Sequence, residues 1–113
     1  MKDLVADLKL CKELKEYVKL DTEFIWIKPG KKYEVKLTPL RMGEYDLLEA
    51  PTAGELLRKL PENTGIYRKN EEWVCYNSQF TNETPSALEK FIDLKPENAL
   101  IKMLIYLYKE KLL

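Results

Sequence analysis

The chain offers chemistry nineteen carboxylates, two cysteines and two serines, but no histidine. The missing imidazole removes Ser-His-Asp and Cys-His nucleophile systems, histidine-bearing zinc sites and the commonest general base at neutral pH. Ser78 and Ser86 lie outside any G-x-S-x-G elbow, and Ser86 falls at a helix start, where capping explains it. Cys11 and Cys75 cannot complete a zinc tetrahedron. Cys11 sits on an apolar stripe and reads as a buried structural thiol. Glu62-Asn63-Thr64 and Glu71-Glu72 are the nearest approach to oxygen-ligand clusters, but they read as exposed turns without EF-hand spacing. The glycines at 30, 43, 54 and 65 are isolated and build no phosphate-cradling loop. No catalytic residue, metal or cofactor is expected. A hydrolase with paired carboxylates remains as an alternative, and it would need two acids of perturbed pKa facing one cleft.

Two clusters mix aromatic and basic side chains in a way that could serve nucleic acid. One is Trp26 with Lys28, Lys31 and Lys32. The other is Tyr67, Arg68, Lys69 and Trp73, with Tyr76 and Phe80 close by. Exposed aromatics stack bases and cations meet phosphates. The charge balance argues the other way. Lysine plus arginine equals aspartate plus glutamate, and residues 1–36, 37–80 and 81–113 carry net +2, −2 and 0. Nucleic acid is therefore the disfavoured partner. A solvated hairpin tip accounts for the first cluster and a sheet core for the second.

These residues need elements to hold them. Apolar residues at 4, 8, 11, 14 and 18, widened by Leu10 and Tyr17, predict an amphipathic helix over 3–19. Residues 23–27 and 32–37 predict a β-hairpin, with Pro29-Gly30 at the centre of a type II turn. Residues 44–49 fit a short strand or a loop edge. Thr52 and Glu55 have capping-box spacing for a helix over 53–60 that buries Leu56, Leu57 and Leu60 before Pro61. Residues 66–68 and 73–77 predict a second hairpin across a polar turn. Thr84-Pro85 opens a predicted helix running to Ile92, and Pro96 opens another through about Lys109.

That closing helix is the most apolar element, with only Glu97, Lys102 and Lys109 as a polar stripe. Tyr106, Tyr108, Leu112 and Leu113 become candidate interface residues, for a homodimer or another protein partner. Hairpins plus separate helices give an α+β class in two layers, with the apolar C-terminal helix central and residues 1–113 forming one domain. The longest apolar run, 103–108, is too short to span a bilayer, and acidic residues interrupt the N-terminus where a signal peptide needs an apolar core. A cytoplasmic protein with free thiols and no membrane contact is expected.

Three stretches together resemble a known group. They are Ala50-Pro51-Thr52-Ala53-Gly54-Glu55-Leu56-Leu57-Arg58-Lys59-Leu60-Pro61, the aromatic hairpin around Trp73-Val74-Cys75-Tyr76, and the helix Pro96 to Leu107 followed by Lys109-Glu110-Lys111-Leu112-Leu113. Residues 50–113 resemble small bacteriophage- and prophage-encoded proteins in which a helix ending in Leu-Pro leads into a hairpin and a Glu-Ala-Leu helix closes the chain. Here Asn98 interrupts the Glu97-Ala99-Leu100 match, and the Pro85 segment departs from the compact form. That group carries no assigned activity, so the resemblance transfers no catalytic residue. It implies an accessory protein that works by protein–protein interaction or self-association.

Overall fold

A computed structural model describes residues 2–38, 48–62, 64–77 and 90–111. After a short 3-10 turn at Lys2–Leu4, the elements are α1 (Leu8–Lys15), β1 (Phe24–Ile27), β2 (Glu34–Leu37), β3 (Leu48–Ala50), α2 (Ala53–Lys59), β4 (Thr64–Lys69), β5 (Glu72–Asn77), β6 (Lys90–Asp93) and α3 (Pro96–Lys109). The fold is α+β. Two three-stranded antiparallel sheets, ordered β2-β1-β3 and β4-β5-β6, pack with the helices around α3. Helix α3 touches β5, β6, α1 and α2, and shares one core with Phe24 and Trp26 of β1, Val35 of β2 and Leu48 of β3. Leu100, Ile101, Met103, Leu104 and Leu107 are essentially inaccessible. A helix this apolar on nearly every side must be surrounded by other elements, and it is.

The expected helix over 3–19 is broken. Val5 and Ala6 are fully buried, Asp7 is extended, and the α-helix begins only at Leu8. Long-range bonds hold the break. Ala6 N–H donates to the Pro51 carbonyl at 3.1 Å, and Asp7 N–H to Asn98 Oδ1 at 2.8 Å. Helix propensity is a few tenths of a kcal/mol per residue, and such tertiary bonds override it.

The first hairpin is looser than a type II turn. Ile27 pairs with Glu34, leaving residues 28–33 as a six-residue loop, and no glycine among the described residues has the positive φ that a type II turn needs. Tyr33 lies in this loop, half-buried against the core. Lys12 Nζ sits 4.8 Å and Lys28 Nζ 5.5 Å from its ring centre. These two cation–π contacts give the loop a reason to be long.

Helix α2 starts with the expected capping box: Glu55 N–H donates to Thr52 Oγ1 and Thr52 N–H to Glu55 Oε1. Leu56 and Leu60 are buried, but Leu57 is 38% exposed because it lies off the core-facing stripe. The second hairpin closes through Asn70 and Glu71, both left-handed at φ 52° and 67°, which matches the right-handed twist of its strands.

The largest correction concerns the helix expected to reach Ile92. Its first part, 85–89, lies outside the described residues. Lys90–Asp93 is a strand, β6, paired with β5 in the register Val74↔Ile92 and Cys75↔Phe91. Its alternating exposure is that of a strand covered on one face. Glu97, expected on a solvated stripe, is only 8% exposed.

Candidate interaction surface

Two arrangements stand out once the elements are in place: a polar clasp and an apolar groove. The clasp is built at the start of α3. Asn98 is 2% exposed, and its amide Nδ2 donates to Asp7 Oδ2 at 2.8 Å and Asp93 Oδ1 at 3.2 Å. Lys95 Nζ donates to Asp7 Oδ1 at 2.8 Å, and Lys102 Nζ to Asp93 Oδ2 at 2.8 Å. Asp93 Oδ1 also accepts from the Lys95 backbone N–H. Two carboxylates are thus brought together, as a paired-acid hydrolase would require. Their electrostatics suit a structural role. Burial pushes each carboxyl up, but the lysine and Asn98 hydrogen bonds, joined at Asp93 by the Lys95 backbone N–H, outweigh it. Both acids end below the usual carboxylate range. An acid held ionised and capped by lysine is a poor proton donor.

The two thiols are equally withdrawn. Burial pushes Cys11 and Cys75 up to about 12, so both stay protonated and un-nucleophilic at neutral pH. Cys11 Sγ donates to the Ala6 carbonyl at 3.5 Å. The Trp26 indole N–H lies near enough to Cys11 to pull its pKa back slightly, yet it makes no hydrogen bond of ordinary geometry. Among the described residues, no group of three or more cysteines and acids could hold a metal ion.

The groove lies where α1, β6 and α3 meet. Leu10, Phe91, Ile105 and Tyr106 form an apolar floor, Glu13 stands on the α1 lip, and Lys102 and Lys109 on the α3 lip. It encloses about 250 Å³. The Phe91 and Tyr106 rings meet at 5.5 Å, tilted by 48°, an arrangement that aromatic quadrupoles favour. Lys102 is engaged by Asp93 and by the Ile92 carbonyl. Glu13 and Lys109 are exposed and form no ion pair among the described residues.

The candidate residues from sequence scatter. Tyr106 lines the groove, whereas Tyr108 is half-buried against the core. Leu112 and Leu113 lie outside the described residues. Trp26 is 5% exposed with its indole in the core, so it offers no free ring face. Lys28, Lys31 and Lys32 are exposed on the loop beside Tyr33. Strand alternation separates the second cluster. Tyr67 and Lys69 share the face with Val74 and Tyr76, while Arg68 and Trp73 share the α3-facing side with Cys75. Sequence reasoning missed Leu10 as a groove residue and Phe91 as a strand residue. Leu10's position at the margin of the α1 stripe was the available signal.

No protein-family model, curated protein or solved structure matches this chain. Among the described residues, no helix is long and apolar enough to cross a membrane.

Proposed function

We propose that this protein acts by binding rather than by catalysis, and that it self-associates through the α1–α3 groove. The observation that carries this reading is the groove itself. It combines an apolar, partly aromatic floor with Glu13 on one lip and Lys109 on the other, neither of them in an ion pair among the described residues. Aromatic and aliphatic floors rimmed by charge suit protein contacts. A two-fold axis running along the groove lays the α1 lip of one copy on the α3 lip of the other. Glu13 then meets the partner copy's α3 lip, and the same contact occurs twice. The withdrawn thiols and lysine-capped carboxylates support a non-catalytic role. The resemblance of residues 50–113 to small phage-encoded proteins is in keeping with an accessory protein.

Light scattering on a concentration series tests it. The mass should climb from 13.3 kDa toward twice that value as concentration rises. Leu10→Glu and Tyr106→Glu should each stay monomeric while keeping the wild-type far-ultraviolet circular dichroism. A wild type that stays monomeric throughout would refute the reading.

A further inference from the structure

We propose that the outer face of the β4-β5-β6 sheet, opposite α3, is a binding site for single-stranded nucleic acid, with Tyr67 and Tyr76 as its stacking platform. The register decides which residues share this face. Gly65 pairs with Tyr76, Tyr67 with Val74 and Lys69 with Glu72. On the other side of β5, Ile92 pairs with Val74 and Lys90 with Tyr76. The face therefore carries Tyr67, Tyr76, Ile92, Lys69 and Lys90 around a buried Val74, with Glu72 as its one acid among the described residues.

Three features make it a platform. The tyrosine rings lie side by side on adjacent strands, 5.8 Å apart and tilted by 52°. Tyr67 is 38% and Ile92 49% exposed, so aromatic and aliphatic surface reaches solvent. Gly65 permits the arrangement, because any Cβ there would overlap the Tyr76 ring. The charge complements a phosphate backbone. Lys69 stands at the hairpin end and Lys90 beside Tyr76, separated along the strand direction by four residue steps, or roughly 13 Å. Stacking needs unpaired bases, which a duplex does not offer. With two lysines and one opposing acid on this face among the described residues, stacking dominates and the salt dependence is shallow. Two phosphate contacts on a single strand give a slope of about −1.4 in log affinity against log salt. This face is separate from the α1–α3 groove, and either site can fail without the other.

Fluorescence anisotropy of a labelled single-stranded oligonucleotide of about 12 nucleotides tests the site. Wild type should bind with the shallow slope above. Tyr67→Phe, which keeps the ring, should bind within about twofold of wild type, and Tyr67→Ala should bind at least about fivefold more weakly. Lys69→Glu and Lys90→Glu should each weaken binding and flatten the slope by about 0.7. Three results overturn the proposal: no anisotropy change with wild type, equal affinity for Tyr67→Ala and wild type, or a duplex bound as tightly as the single strand.

Discussion

Asp7 and Asn98 are ninety-one positions apart and exchange two hydrogen bonds of 2.8 Å in opposite directions. The Asp7 backbone N–H donates to Asn98 Oδ1, and Asn98 Nδ2 donates back to Asp7 Oδ2. This reciprocal pair fixes where α1 begins and joins it to the first turn of α3. Through Asp93 it also ties in the end of β6. The groove lies between these same three elements, so the clasp holds its walls.

Asn98 is accordingly the side chain whose loss should loosen the fold most for its size. Asn98→Ala leaves the Asp7 N–H without its acceptor and both aspartates without their shared donor. It should cost about 2–3 kcal/mol of unfolding free energy, read from urea titration. Asn98→Asp should cost more at neutral pH, because it places a third carboxylate between two others, and its deficit should shrink in mild acid. Equal stability of all three proteins would show that the clasp is not structural.

The clasp also sets a direction for acid sensitivity. Asp7 and Asp93 titrate below their unfolded range, so in acid the unfolded chain binds protons that the folded chain refuses. Their stabilising contribution is complete above the unfolded carboxylate pKa of about 3.9 and is lost as pH falls through the lower folded values. Thermal midpoints should therefore drop as pH is lowered through that window. The double variant Asp7→Asn/Asp93→Asn should show a flatter drop. An unchanged slope would mean that other carboxylates control acid unfolding.

The thiols set the opposite limit. The folded chain keeps both protons until about pH 12, while an unfolded cysteine releases its proton near 8.5. Stability should fall as pH rises between those values, and an alkylating reagent should label Cys11 and Cys75 only as fast as the chain unfolds. Rapid labelling under native conditions would contradict the burial of both side chains.

The β4–β5 turn carries a strained position that can be relieved. Glu71 adopts φ 67° without glycine's freedom. Glu71→Gly creates an Asn-Gly pair, the preferred sequence for this turn type, and should stabilise the fold by roughly 0.5–1 kcal/mol. Calorimetry of the variant checks it, and a lowered midpoint would show that the turn is held by the Glu71 side chain.

Gly65 should be far less tolerant. Gly65→Ala must push the Tyr76 ring off its strand partner and should cost about 1–3 kcal/mol in denaturant unfolding. Adding Tyr76→Leu should return most of that loss. A neutral Gly65→Ala would mean that the ring moves freely.

Local signals read correctly where local physics governs. The Thr52–Glu55 capping box, the polar turn read over 69–72 and the run of apolar residues behind Pro96 each specify an element within a few residues. They fail where distant partners decide. Nothing near Asp7 shows that Asn98 will interrupt a helical stripe. Nothing near Phe91 shows that β5 has an open edge to extend, so the helix signals that begin at Pro85 do not reveal the strand at Lys90–Asp93. The candidate site divides the same way. Tyr106 was legible from the excess apolar surface of its helix, but Leu10 and Phe91 join it only through the packing of α1 and β6 on α3. The cluster from Tyr67 to Trp73 was legible as a neighbourhood, and strand alternation then divided it between two faces.

Self-association through the groove is the central claim, and a charge-swap cycle at Glu13 and Lys109 tests it most directly. Both residues are exposed, so neither reversal should unfold the protein. Sedimentation equilibrium should show dimerisation weakened about 3- to 10-fold by Glu13→Lys and by Lys109→Glu, and largely restored in the double variant, because opposite charges again face each other across the two-fold axis. A double variant as weak as the sum of its parts, or single variants that dimerise like wild type, would contradict the account.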